Sequence, residues 1–195
     1  MRDFAEEFKT IDLLESSGAD SSGIDSFALA VIKVERQARK LFTFLIFQYP
    51  CFCRGDSAPL RDMLVKKRIY SSGIFEGIDR VAPKTVGDLI GPDYPMLFDT
   101  VKRATDIRNK IFHGQVTNQR LERPQLFEYV HELRHWCRLL GDAAEETLGF
   151  DGFRNNSYQP TKKAGLAATL KHPIQSLDDY EALLNSLAAI KALKT

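Results

Sequence analysis

The stretch "DIRNKIFHGQ" at 106–115 brings three side chains of complementary chemistry close together: Arg108, Asn109 and His113. An imidazole suits proton transfer near neutral pH. A guanidinium offers a fixed fork of donors to phosphate oxygens, and a carboxamide can hold either the imidazole or the phosphate. RNA cleavage needs this set. RNA carries its own nucleophile, the 2′-hydroxyl beside each phosphodiester. A protein has only to remove that proton, steady the charge on a phosphorane-like transition state and protonate the departing 5′-oxygen. That chemistry requires no metal, and no cofactor is implied. One chain supplies one such histidine. A twofold homodimer would supply two, one as base and one as acid, and would have to form through this segment.

Helix geometry bears on the idea. At about 100° per residue, Asp106, Asn109 and His113 share one face, whereas Arg108 lies roughly 140° around from His113. A straight helix would not aim both groups at one atom, although a long arginine can bend round and His113 falls in the last turn. Lys102, Arg103, Lys110, Arg120 and Arg123 stand around the stretch as a candidate basic surface for RNA phosphate. A plainer account of the same residues is a cationic helix C-terminus favoured by the macrodipole, in a non-catalytic module that binds RNA or a protein partner.

A rival motif is "HELRH" at 131–135. His131 and His135, one helical turn apart, can meet one metal ion with Glu132 as base, as in a zinc hydrolase. Three features oppose it. Arg134 puts a charge inside the pattern, Arg138 and Gly141 stand where the longer form needs glycine and histidine, and Glu145 and Glu146 share the helix and cannot easily swing round as a third ligand. Cys51 and Cys53 flank one residue with no matching pair elsewhere, so they read as idle thiols. His172 reads as a solvated loop residue and Trp136 as core or interface.

The elements that must position these groups are helical nearly throughout. Phe4, Phe8, Ile11 and Leu14 recur at helix spacing before "SSGADSSG" breaks the chain. Phe27, Val31, Val34, Ala38, Leu41 and Leu45 form one stripe on a long helix from about Asp25 to Gln48, closed by Pro50. Ser57 before Pro59 is a candidate cap for a helix over "LRDMLVKKRIY", and short helices are expected over "IFEGIDRVA" and "TVGDLIG", the latter with Thr85 and Asp88 as a capping box. From Pro92 a helix carries Leu97, Val101, Ala104, Ile107 and Ile111 inward, and Gly114 stops it. Pro124 opens another, with Val130, Leu133, Cys137 and Leu140 on its inner stripe. No period-two strand is evident. The expected architecture is an all-α, up-and-down helical bundle over 1–149, a linker over 150–175, and a C-terminal amphipathic helix over 176–195 capped by Ser176.

Bulk properties narrow the function classes. The chain has 195 residues, 44% hydrophobic and 27% charged, with a formal net charge of +1. Any attraction for nucleic acid must therefore be local. Its acidic start lacks an export signal, and "LFTFLIF" at 41–47 is far below membrane-spanning length. Three cysteines give no disulfide framework, and a reducing cytoplasm is the expected location.

"RNKIFHG", in which four residues separate Arg108 from His113 and a polar residue follows the arginine, resembles the signature of the HEPN superfamily. The long early helix, the motif-bearing helix and the closing helix are similar to its layout over roughly 1–149. The resemblance implies a HEPN-like fold, metal-independent endoribonuclease activity in toxin–antitoxin or phage-defence systems, and an active site completed by a homodimer. An antitoxin or other regulatory protein would be a further partner. Arg108 and His113 then look like the catalytic pair and Asn109 the polar neighbour. Glu35 is similar to a polar residue that some members place near the site, while pairing with Arg39 at i+4 is its local alternative. Members silenced by adenylylation carry a tyrosine two positions after the histidine. Here that position is Gln115.

Overall fold

The computed structural model describes residues 4–114, 121–154, 156–158 and 163–190. Arg120, Gln115 and the last five residues lie outside that set. Among the described residues there is no strand, and the architecture is an all-α bundle. Its helices are α1 (Phe4–Ser16), α2 (Ser22–Phe47), α3 (Ser57–Lys66), α4 (Ser71–Val81), α5 (Val86–Ile90), α6 (Tyr94–Phe112), α7 (Arg123–Leu148) and α8 (Leu177–Ala188). No helix among the described residues is long and apolar enough to cross a membrane.

The bundle is built around α2, which packs on α1, α4, α6 and α7. Its expected inward stripe is buried, and so are Phe42, Phe44, Ile46 and Phe47 on its other sides. A helix that is apolar all round needs neighbours all round. The neighbour on the far side of the bundle comes from an unexpected place. The segment read from the sequence as a linker packs Phe150 and Phe153 into the same core, with Phe150 stacked on Phe44 at 4.7 Å. Its backbone is tied in as well. Gln37 Nε2 donates to the carbonyls of Cys137 and Asp151, and Lys40 Nζ donates to that of Phe153. Buried carbonyls in an irregular segment need such donors. Asp151 turns the chain by accepting from the amides of Phe153 and Arg154, both at 2.8 Å.

Trp136 is fully buried in an aromatic cluster with Phe75, Tyr94 and Phe98, so it belongs to the core. The Thr85–Asp88 capping box forms, with reciprocal bonds of 2.9 and 3.0 Å. Ser176 caps α8 by accepting from the Asp179 amide, and Tyr180, Leu183, Leu184 and Leu187 dock that helix on α3 and α4.

Helix α3 departs from expectation. Ser57 is its first helical residue rather than its cap, and the turn before it is closed by Asp56 accepting from the Cys53 amide. The helix also stops at Lys66, four residues before the end of the apolar pattern. Arg68 takes a φ of +49°, the only positive φ at a non-glycine among the described residues, and the chain turns there to bury Ile69.

Candidate functional site

Helix α6 carries the Arg–His stretch to its exposed C-terminal end. Leu97, Val101, Ala104 and Ile107 anchor its inner face. His113 is the C-terminal cap, its amide donating to the Asn109 carbonyl at 3.0 Å. Gly114 then adopts φ +63°, a conformation glycine enters without a Cβ penalty, and the helix ends there as the sequence indicated.

The angular offset between Arg108 and His113 is bridged by the arginine's length. Its side chain swings toward α2 and its Nη2 forms an ion pair with Glu35 Oε1. Glu35 also accepts from the Ser71 hydroxyl at 2.8 Å, so this carboxylate joins α2, α4 and α6. The expected Glu35–Arg39 pair does not form. Arg39 instead donates to the Ile69 carbonyl at 2.7 Å, because the turn at Arg68 presents that carbonyl to it.

Arg108, Asn109 and His113 thus line one cleft of about 410 Å³. The α6 wall also contributes Thr105, and the floor is Glu35 and Arg39. The opposite wall is the α3–α4 connection, with Arg68 and Tyr70 at its mouth and Ser71 behind. Three guanidinium groups face one carboxylate, so the cleft is net cationic and suits an anion. His113 is exposed, and neither its imidazole nor the Asn109 side chain has a hydrogen-bond partner among the described residues. Arg108 Nε is buried without an acceptor. Asp106, on the Asn109–His113 face by spacing, is held by Lys110 at 2.7 Å and stays out of the cleft.

Arg108 also lines a second, apolar groove of about 380 Å³, formed by Leu14, Ile24, Phe27, Ile32, Ile111 and Phe112. Ile24, Ile32 and Phe112 are exposed there, Phe112 at 61%. The arginine therefore forms the ridge between a cationic cleft and an apolar face.

The expected basic surface is dispersed. Lys102 and Arg103 both pair with Asp99, at 3.3 and 2.6 Å, and Arg103 borders a separate cleft with Glu128 and Glu132. Lys110 pairs with Asp106. Arg123 donates to the Ser17 carbonyl at 2.8 Å and lies over the Phe127 ring. None of these four lines the cleft of Arg108 and His113, and Arg120 lies outside the described residues. Sequence reading missed Arg39, Arg68 and Tyr70. The run "KKRIY" at 66–70 carries the signal for Arg68 and Tyr70, but its spacing continues the helical pattern, whereas the structure turns out of the helix after Lys66.

On α7, His131 and His135 border a shallow pocket with Asp12, Arg134 and Arg138, whereas Glu132 accepts from the Thr100 hydroxyl on another face. Arg138 lies 3.3 Å from His135 Nδ1 and Arg134 pairs with Asp12. Among the described residues no three histidine, cysteine or carboxylate groups are gathered in a way that could hold a metal ion. Cys51 and Cys53 are exposed, while Cys137 is enclosed by the core, which pushes its thiol pKa up.

No family model, curated protein sequence or solved structure matches this chain.

Proposed function

We propose that this protein is a metal-independent endoribonuclease of the HEPN type, acting as a homodimer on single-stranded or looped RNA. The observation that carries the reading is the convergence of Arg108, Asn109 and His113 on one cationic cleft despite their spread around the helix. In this reading a scissile phosphate sits against Arg108, whose guanidinium neutralises the charge that develops on the non-bridging oxygens. One His113 takes the 2′-hydroxyl proton. The 2′-oxygen bonds to phosphorus, the bond to the 5′-oxygen breaks, and the second protomer's His113 protonates that leaving oxygen. The products are a 2′,3′-cyclic phosphate and a 5′-hydroxyl. The nucleophile belongs to the substrate, so the chain has only to move protons and hold charge.

The second histidine is the reason for a dimer. The exposed apolar groove of Ile24, Ile32 and Phe112 supports one, since exposed apolar surface gathered beside a site commonly marks an interface. A partner seated there would bury the flank of Arg108 and bring its own α6 close.

The test is cleavage of a single-stranded RNA panel in EDTA by wild type, Arg108→Ala and His113→Ala. Wild type should cut and leave cyclic-phosphate ends, with each variant slowed by at least about 100-fold, the usual scale for a lost general acid–base group. Cleavage persisting in both variants rejects this site. Tight RNA binding by wild type without cutting would instead indicate a non-catalytic binding module.

A further inference from the structure

The α3–α4 wall of the cleft has no part in the proton transfers, yet it presents an unpaired cation and an exposed aromatic ring. Its geometry has a local cause. Ile69 is pinned in the core at 1% exposure, with its carbonyl held by Arg39. The left-handed turn at Arg68 and the extended backbone of Tyr70 (φ −68°, ψ 163°) then send the residues on either side of Ile69 outward. The Arg68 side chain has no hydrogen-bond or ion-pair partner among the described residues, its only bond being from the backbone amide to the Val65 carbonyl at 3.4 Å. Tyr70 is 57% exposed. A non-glycine in a left-handed turn stores strain, and an arginine with no partner does nothing to offset it within the fold. Both side chains border the same space as Arg108 and His113.

We infer that this wall is a second nucleotide subsite, in which Arg68 takes the phosphate next to the scissile one and Tyr70 stacks on the base beside it. A phosphate-binding arginine next to an aromatic platform is the arrangement that holds single strands without reading their sequence. A duplex could not offer its base to Tyr70 without unstacking it. The subsite therefore selects single-stranded nucleic acid longer than a dinucleotide. It rests on the ribonuclease reading only for the identity of the phosphate at Arg108. The first amides of α4, whose cap Tyr70 provides no side-chain bond, add the positive end of a helix dipole to the same wall.

The subsite is tested with a short oligouridylate bearing 2′-O-methyl groups, which wild type can bind but cannot cut by 2′-hydroxyl attack. Arg68→Asn keeps a residue tolerant of the left-handed turn and removes the charge. It should weaken binding about 10-fold and lower the slope of log affinity against log salt by about 0.7. Tyr70→Ala should weaken binding about 5- to 150-fold, the range of one lost base stack, and Tyr70→Phe should restore it. On cleavable RNA, Arg68→Asn should abolish the preference for longer chains over a dinucleoside monophosphate. Both residues are exposed, and thermal melts will show that the variants fold. Unaltered affinity, salt slope and chain-length preference in Arg68→Asn and Tyr70→Ala would overturn the subsite, even if Arg108 and His113 prove essential for cutting. Weakened binding in a protein that cuts no RNA would uphold the subsite and remove the ribonuclease.

Discussion

The Glu35–Arg108 pair is what turns the arginine toward the cleft, and its strength can be measured. The two side chains are 24% and 18% exposed, so each is about four-fifths withdrawn from water. Pairs at the surface are worth roughly 0.2–1 kcal/mol, whereas removing one member of a fully buried pair costs roughly 3–5 kcal/mol. This pair lies between the two limits. Glu35→Ala leaves the Arg108 guanidinium without its counter-ion and frees the Ser71 hydroxyl as well, so it should cost about 2–3 kcal/mol. Arg108→Ala leaves a carboxylate that still has Ser71 and opens onto solvent, so it should cost less, about 1–2 kcal/mol. The coupling in the double-mutant cycle should be about 1–2 kcal/mol. Urea unfolding of the four proteins gives it directly, and for a chain of this size Glu35→Ala should lower Tm by roughly 4–10 °C. A coupling below about 0.3 kcal/mol, the level at which independent sites add, would mean that the pair does not form in solution. Arg108 would then have no reason to leave its own helical face, and the cleft as a unit would fail.

Three further outcomes are expected. If the proposed composite site holds, Phe112→Glu, at a position 61% exposed, should change stability by no more than about 0.5 kcal/mol yet shift sedimentation from dimer to monomer and abolish cutting; a cutting monomer would refute the composite site. Gly77→Ala should destabilise by about 1–3 kcal/mol in urea, because its Cβ would lie 2.7 Å from the Phe42 ring and 2.8 Å from Leu187; a neutral result would mean α8 is not seated there. Glu7 is buried, which alone would push its pKa up, but the Lys33 hydrogen bond and the charges of Lys33 and Arg36 outweigh burial and hold it below the ordinary 4.5. With the folded pKa lowered, the unfolded chain takes the proton first, so the stabilisation is complete above pH 4.5 and lost as pH falls through the folded value. The stability gap between wild type and Glu7→Gln should therefore be wide at neutral pH and close in acid, and a gap independent of pH would contradict the pairing.

The local features were legible because their signals are local. The apolar stripe of α6, its glycine stop and the Arg108–His113 spacing all lie within one helix, and the structure keeps them except at Ile111, which is only half-buried beside the apolar groove. The pairing of Asp99 with Lys102 and Arg103, and of Asp106 with Lys110, was equally readable at i+3 and i+4. Those pairings neutralise much of the expected basic surface. The far wall was not legible, because it depends on contacts between residues 30, 36 and 114 positions apart. Arg68 occupies a left-handed turn with neither glycine nor asparagine to announce it. Helical spacing pairs Glu35 with Arg39, whereas tertiary packing gives it partners 36 and 73 positions away. In the segment after Gly149, the aromatics of "FDGF" outweigh its turn formers, since burying Phe150 and Phe153 covers the apolar outer side of α2.

The cleft also depends on a part of the chain that touches none of its chemistry. Its α6 wall is anchored directly in the core, but its α3–α4 wall is a turn between two short helices, and short helices hold little by themselves. That wall is supported from behind by α8. Gly73 and Gly77 let α8 approach until the Leu187 carbonyl and side chain lie where a Cβ would be. Lys67, the residue before the strained Arg68, is tied to Glu181 at 2.8 Å, and Arg80 reaches Ser186 at 3.0 Å. Tyr180 is buried between α3 and α8, its hydroxyl toward the Leu60 carbonyl. The left-handed turn is thus held from both sides, by the burial of Ile69 with its carbonyl bonded to Arg39 and by the docking of α8. Any equilibrium that lifts α8 from α4 lets Arg68 and Tyr70 relax, while Arg108 and His113 stay in place on α6. If the proposed subsite and ribonuclease hold, undocking should weaken binding of long single strands before it alters cleavage, because α8 supports the α3–α4 wall, whereas the α6 wall is anchored in the core.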